Sequence, residues 1–458
     1  MSFPRYPKYK DSAVEWLGKV PEHWDVQRLK HVAARIPYAI VDGPFGTQLK
    51  AEDYRSSGVP LVRISNLSFT GRFLEDDLVF IEDSKAEEVS RSTVRRGDVV
   101  IGKTGATIGK SALFDYSDKG VIASSCLKIS PDPDAVSPAF LARIIESDGF
   151  QKTLLNESGG STRDTINITP FGNLAAVFPP LAEQLPICRF LVRETAKIDA
   201  LIAEQQRLIE LLQEKRQAVI SHAVTKGLNP DAPMKDSGIE WLGQVPKHWE
   251  VCRVKTVSSF TTSGPRGWSE RVGEDGSLFV QSGDLTDSME VDFANCKRVQ
   301  VVEDAEVEAA RTRLQDGDVV VCVTGAKTGN VAVCTSVPEA SYVNQHVCLI
   351  RPTASVLPLF LGMVLKSGYG ETYFSLAQYG LKQGLSLEDV REARVILPPL
   401  EEQRTITQTL VDLATRSRSL VAEAERAIAL LQERRSALIS AAVTGQIDVR
   451  GLAGSEAA

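Results

Sequence analysis

The stretch Thr104 to Ser111 reads T-G-A-T-I-G-K-S, one letter from the phosphate-loop pattern G-x-x-x-x-G-K-[ST]. In such a loop backbone amides cradle phosphates, the lysine neutralises them and the hydroxyl holds magnesium. Thr104 stands where the first glycine belongs. A second copy of the stretch tests the reading. RGDVVIGKTGATIGKSA at 96–112 matches DGDVVVCVTGAKTGNVA at 316–332, and the second copy has Asn330 and Val331 where the lysine and hydroxyl should be. Both copies keep G-D-V-V…T-G-A…G, which is a turn, a β-branched strand, a glycine loop and a second strand. The shared property is backbone shape. Nucleotide hydrolysis is therefore not expected, but a loop held between two strands remains a good recognition surface.

Other chemistries are equally sparse. The seven cysteines are odd in number, none is spaced as C-x-x-C, and most sit in apolar surroundings such as VVVCVTG around Cys322. Buried, reduced thiols are expected. The five histidines form no H-E-x-x-H pattern, so no metal site is expected. Hydrophobic residues make up 43% and charged residues 24%, as in ordinary globular proteins. No apolar run approaches the ~20 residues of a membrane span, and the opening MSFPRYPKYKDS lacks a signal-peptide core. These features lead us to expect a cytoplasmic protein.

The elements that position the glycine loops come twice. DSAVEWLGKVPEHWDVQRLKHV at 11–32 matches DSGIEWLGQVPKHWEVCRVKTV at 236–257. FPPLAEQ at 178–184 matches LPPLEEQ at 397–403, and LLQEKRQAVISHAVTKG at 211–227 matches LLQERRSALISAAVTGQ at 430–446. The chain is two tandem copies of one unit. The segmentation expected is a globular domain at 1–180, a long helix at 181–226, a second globular domain at 227–399, a second helix at 400–446 and a disordered tail at 447–458. The globular parts, with short β-branched runs broken by Gly, Pro, Asp and Ser, read as mixed α/β (α+β). The aromatic motif EWLG-x-VP-x-HW, with His23 and His248, reads as a packing clamp between each domain and a helix end.

Each helix begins after Pro-Pro, carries Glu183 or Glu401 and Glu402 in its first turn, and stops at Gly227 or Gly445. At 1.5 Å per residue each is roughly 65 Å long. Leu191, Ile198, Gln205, Leu212 and Val219 recur every seven residues, with Leu201 and Leu208 as companions. The second helix has Leu410, Ser417, Ala424, Leu431 and Leu438, with Leu413, Leu420 and Ala427. Lys215 and Arg434 interrupt the companion rows. Two such stripes are expected to pair as an antiparallel coiled coil with pseudo-twofold symmetry. A rod with a similar head at each end is a ruler, and duplex DNA repeats its grooves every ~34–36 Å.

Taken together, the paired EWLG-x-VP-x-HW segments, GD-VV…TGA…G loops and PPL-x-EQ…LLQE[KR]R helices resemble the specificity subunits of type I restriction–modification enzymes. The resemblance covers nearly the whole chain. It implies two target recognition domains, each reading half of a bipartite DNA sequence, on helices that set the spacing and dock two methylation subunits. It also implies a non-catalytic subunit that binds no cofactor itself. S-adenosylmethionine, ATP and magnesium would sit on partner subunits, among them two restriction (helicase–nuclease) subunits where a nuclease is present. FPPL and LPPL lack the polar residue of an adenine-methylation motif, and there is no G-x-G-x-x-G. Residues 35–95 and 258–315 share little, which suits readers of different half-sites and predicts a non-palindromic target. The alternatives are a coiled-coil protein-interaction scaffold and, from Thr104–Ser111, a nucleotide-binding enzyme.

Candidate DNA-contacting residues are the polar ones on three loops per domain. In the first domain they are Thr47, Gln48, Lys50 and Arg55, then Lys103, Thr104, Thr107 and Lys110, then Ser161, Thr162, Arg163 and Asn167. In the second they are Arg266, Trp268 and Arg271, then Thr324, Lys327 and Thr328, then Gln378, Tyr379, Lys382, Gln383 and Ser386. The net charge of −7 stands against easy DNA binding. The deficit lies mostly in 227–399, with 16 basic and 22 acidic residues. Weak, salt-sensitive binding by the isolated chain is expected, with partners supplying part of the phosphate contact.

Overall fold

The computed structural model describes residues 3–158, 164–301, 306–378 and 384–452. It divides into two compact units, Met1–Gln205 with Arg426–Ala458, and Gln206–Glu425. Each unit therefore takes one globular part together with a stretch of both long helices, α1 (Leu181–Lys226) and α2 (Leu400–Val443).

In the first unit the sheet that matters for function is built from β1 (Ile40–Asp42), β2 (Val99–Gly102), β3 (Ser111–Leu113) and β4 (Cys126–Ile129), in the order β1-β4-β2-β3. All its pairings are antiparallel. The run Val99–Gly102 is buried throughout, which is why a continuous β-branched stretch is needed there. The second unit repeats this sheet with β5 (Ser258–Ser263), β6 (Val319–Cys322), β7 (Val331–Val333) and β8 (Val347–Pro352), in the order β5-β8-β6-β7. A second four-stranded sheet completes each unit, and in each it contains one parallel pair, 59–62 with 119–122 and 277–280 with 341–343. The stretches that share few letters thus fold alike. Even a local cap recurs: the Arg63 N–H donates to Asn66 Oδ1 at 2.9 Å, and the Gln281 N–H to Asp284 Oδ2 at 2.7 Å.

The aromatic motif joins each domain to a helix start. Strand Asp25–Arg28 pairs with Ala175–Phe178, which runs into α1, and Glu250–Arg253 pairs with Arg394–Leu397, which runs into α2. Trp24 and Trp249 are fully buried, and their indole N–H groups donate to Glu183 and Glu402. His23 and His248 contact the same carboxylates at 2.8 Å. The helix starts are thereby gripped by the motif as expected of a clamp.

Within each unit the helices run antiparallel. In the first, Glu183 pairs with Arg450 and Asp199 with Arg435, so one number falls as the other rises. In the second, Ile220, Ala223 and Val224 share a core with Ile406 and Leu410. The expected companion rows are met in part. Leu201, Leu208 and Leu420 are 45%, 42% and 49% exposed, whereas Leu413 and Ala427 are half-buried. One residue along from the exposed members, Ile202, Ile209 and Val421 are half-buried, as are Arg216 and Ile428, and Arg435 is buried. The sequence offers two apolar rows, 201/208 and 202/209, and only the partner helix selects between them. Arg435 is buried in the seam, where it bonds Glu146 Oε1 at 2.6 Å and Asp199 Oδ1 at 3.0 Å.

Residues 447–452, expected to belong to a disordered tail, are instead packed. Val449 is buried in the first unit's core, the Asp448 N–H donates to Pro4 O at 2.8 Å, and Arg450 pairs with Asp448 and Glu183. The apolar Val449 and the acceptors on the opening segment hold this stretch; residues 453–458 lie outside the described ones. The seven cysteines are free thiols, five buried and two half-buried. Among the described residues no helix is long and apolar enough to cross a membrane, and no cluster of His, Cys, Asp and Glu could hold a metal.

Candidate nucleic-acid interface

Sheet topology brings the three loops of each unit together. β1 and β2 both pair antiparallel with β4, so they are parallel to each other and end at the same edge, opposite Cys126 and Leu127. The loops after Asp42 and Gly102 therefore leave side by side. The third loop is stitched to the second, because the Gly105 N–H donates to Asp164 O at 2.8 Å and the Ile166 N–H to Lys103 O at 2.9 Å. The second unit repeats this. β5 and β6 end together against β8, and the Leu385 N–H donates to Val323 O at 2.8 Å. Three polar loops thus meet at one end of the sheet, and binding residues commonly sit on loops that a sheet positions in this way.

The residues singled out from sequence divide by what they touch. Thr47, Gln48, Lys50 and Asn167 are exposed at this end of the first unit, and Arg266 and Arg271 are exposed in the second. Lys50, Arg266 and Arg271 form no ion pair with any described residue. Others are occupied. Lys103 is largely buried and paired with Asp42 at 3.0 Å, so its charge serves the sheet edge. Arg55 bonds Glu82 at 2.9 Å and the carbonyls of Glu52 and Tyr54. Lys110 lies over the Phe69 ring, 5.6 Å from its centre. Thr107 donates to Thr104 O, and Thr328 to Gly325 O, at 2.7 Å each, which shapes the two glycine loops from within. Thr104 itself is half-buried and pairs its backbone with Thr165. Lys327 reaches the carbonyls of Gly283 and Leu285, and Thr324 bonds the His346 ring. Gln378 is half-buried at the end of helix Gly368–Ala377 and lines a cavity of about 310 Å³ with Lys327, Asn330 and Lys366.

Two assignments change. Trp268 is 1% exposed and packs against Phe279 and Tyr342, so it belongs to the core and cannot meet a base. Its glycine- and arginine-rich neighbourhood resembles a loop, but a large ring in a small sheet finds the interior first. Ser386 caps helix Leu387–Glu392, accepting from the Asp389 N–H at 3.1 Å and donating to its carboxylate at 2.7 Å. Ser161, Thr162, Arg163, Tyr379, Lys382 and Gln383 lie outside the described residues.

Sequence reading missed two features at the same sheet end. One is the connection into β4 and β8, Ala123–Ser125 and Asn344–His346, which adjoins the roots of the glycine loops: the Lys103 N–H donates to Ser125 O and the Val323 N–H to His346 O, at 2.9 Å each, while the His346 ring holds Thr324 and contacts Gln345 at 3.1 Å. The other is Phe45. The available signal was the repeat G-P-x-G at 43–46 and 264–267, three shared letters in otherwise dissimilar stretches.

Comparison with known proteins agrees with this architecture. Residues 247–425 match the family described as type I restriction modification DNA specificity domain. The chain is 24% identical over 402 residues to the EcoKI specificity subunit of Escherichia coli, covering 84% of this chain and 81% of that one. It is 24% identical over 419 residues to the putative MjaX specificity subunit of Methanocaldococcus jannaschii, covering 84% and 86%. Its fold matches a chain from a structure of type I R-M complex assembly with a TM-score of 0.63 at 18% identity, over 93% of this chain and 98% of that one. It matches the HsdS subunit of Thermoanaerobacter tengcongensis with a TM-score of 0.51 at 18% identity and the same coverage. The chain is thus similar over most of its length to specificity subunits of type I restriction–modification enzymes, and residues 247–425 match that family's DNA specificity domain.

Proposed function

We propose that this chain is the non-catalytic, sequence-reading subunit of a type I restriction–modification complex, with each unit reading one half of a bipartite, asymmetric duplex DNA target. The observation that carries the reading is the convergence of three polar loops at one sheet end, present in both units with different residues on the same scaffold. A shared scaffold with divergent tips is what two readers of two different half-sites require. A protein-binding scaffold would not need it.

The helices set the distance between half-sites and dock two methylation subunits, which bring S-adenosylmethionine. Restriction subunits, where they join, bring ATP and magnesium. Those partners also supply phosphate contacts that an acidic chain lacks. The complex works in the cytoplasm. The experiment is a methylation map of the source genome with and without this gene. Loss of one bipartite, asymmetric adenine-methylated motif is the expected result, and replacing the first globular domain should then alter one half of the motif. An unchanged map would sink the proposal.

A further inference from the structure

Phe45 is 70% exposed, more than any other aromatic side chain among the described residues. It does not sit on a loose loop. The Gly43 N–H donates to Cys126 O at 3.0 Å, and a Cβ at Gly43 would lie 2.0 Å from Ala123 O, so the chain is pressed onto the sheet end there. Two residues on, the turn closes: the Phe45 N–H donates to Gln48 Oε1 at 3.1 Å and the Gln48 N–H to Phe45 O at 2.8 Å. The second unit builds the same stalk. The Gly264 N–H donates to Asn344 O at 3.0 Å, and a Cβ at Gly264 would lie 1.9 Å from Val343 O. There the presented residue is Arg266, also exposed. One anchored turn thus displays an aromatic ring in one unit and a guanidinium in the other, each at the end where the polar loops converge.

A ring held out in water needs an apolar surface to meet. A protein partner would call for an apolar patch around it, yet its exposed neighbours on the turn are Thr47, Gln48 and Lys50. A single ring among hydroxyls, an amide and a free cation suits duplex DNA, where phosphates take the cation and a base face takes the ring. Arg266 suits the same surroundings, because a planar guanidinium can stack on a base or bond guanine through two donors.

We propose that Phe45 is a base-contacting wedge that stacks at one step of the half-site read by the first unit, and that Arg266 occupies the equivalent place in the other half-site. This rests on the DNA-reading function above. The test uses the chain assembled with its methylation subunits and duplexes carrying the mapped motif, with 2-aminopurine placed at successive positions of the first unit's half-site. Fluorescence should rise at one step for the wild type and for Phe45→Trp, and stay low for Phe45→Ala, which should also bind roughly tenfold more weakly. Lys50→Ala should weaken binding and lower the salt slope by about one without changing the fluorescence profile. An unchanged profile and affinity in Phe45→Ala, with unchanged melting, would overturn the wedge. So would a lost preference for thymine without any fluorescence change, since that is the mark of a methyl contact. If the wild-type complex neither binds nor methylates a motif, the DNA-reading function fails first and the wedge falls with it.

Discussion

Trp24 and Glu183, 159 residues apart, are joined by a 3.2 Å hydrogen bond from the indole N–H to the carboxylate, and Trp249 and Glu402 repeat it at 3.1 Å. The first-turn acid of each long helix, which an isolated helix would use only to complement its dipole, here receives the domain's buried tryptophan. In the first unit Arg450 adds a third partner to Glu183. Replacing Glu183 by Ala leaves a buried indole N–H and one guanidinium short of an acceptor. It should lower stability by about 2 kcal/mol, and Glu402→Ala should cost less, because no arginine among the described residues joins that carboxylate. Thermal melts of the two variants against wild type check this; equal shifts would contradict it.

The seam arginines occupy matching positions with unlike surroundings. Arg435 is paired with Glu146 and Asp199, and Asp199 also receives Arg72. Its counterpart Arg216 has a buried Nε with no partner among the described residues, and the repeat puts Lys366 and Arg418 where Glu146 and Asp199 stand. Docking on the neighbouring domain is otherwise alike: Ser440 Oγ accepts from the Asp148 N–H at 3.2 Å, and Ser221 Oγ from the Gly368 N–H at 2.8 Å. Arg435→Met should therefore destabilise by about 3 kcal/mol, since it leaves the buried Glu146 with Arg143 alone and the partly buried Asp199 with Arg72 alone. Arg216→Met should be neutral or stabilising. Denaturant titration of both variants decides.

Trp268 and Arg266 are two residues apart and should behave oppositely. Trp268→Ala empties a core site and should cost about 3–5 kcal/mol, with DNA reading lost only through unfolding. Arg266→Ala should leave stability within about 0.5 kcal/mol while changing the methylated motif in the second unit's half. Melting curves and a methylation map of each variant, taken together, check the contrast.

Burial pushes the Cys126 and Cys348 thiols up to about 12 and Cys188 up to about 11. A raised thiol favours the folded state wherever the unfolded thiol would ionise less, below about pH 8.5. That contribution is lost as pH climbs from there toward the folded values. Stability should fall between about pH 9 and pH 11, and variants with Ala at these three positions should lose part of that slope. Alkylation of the native chain at pH 8 should be slow at all seven thiols, since burial also raises the half-buried Cys252 and, with the carboxylates of Asp284 and Asp292 beside it, Cys296. Rapid labelling of all seven would contradict the packing.

The duplication and both long helices with their ends were legible in the sequence. Each is written in local letters: a repeated word, or a run without glycine. Gly227 and Gly445 do end the helices, with φ of +79° and +72°. The side-chain partners were not legible. Ile202 and Leu201 are equally apolar, and only the opposing helix decides which one is covered. Lys103 and Arg55 look like free cations until the fold brings Asp42 and Glu82 beside them. Trp268 looks like a loop aromatic until Phe279 and Tyr342 close over it. Phe45 hides in a stretch with little letter similarity, because its role rests on Gly43 touching Ala123 O, 80 residues away in sequence. Periodicity and repeats are properties of the chain and survive without a structure. Burial, pairing and exposure are properties of pairs of distant residues, and they exist only once the sheets and helices have packed.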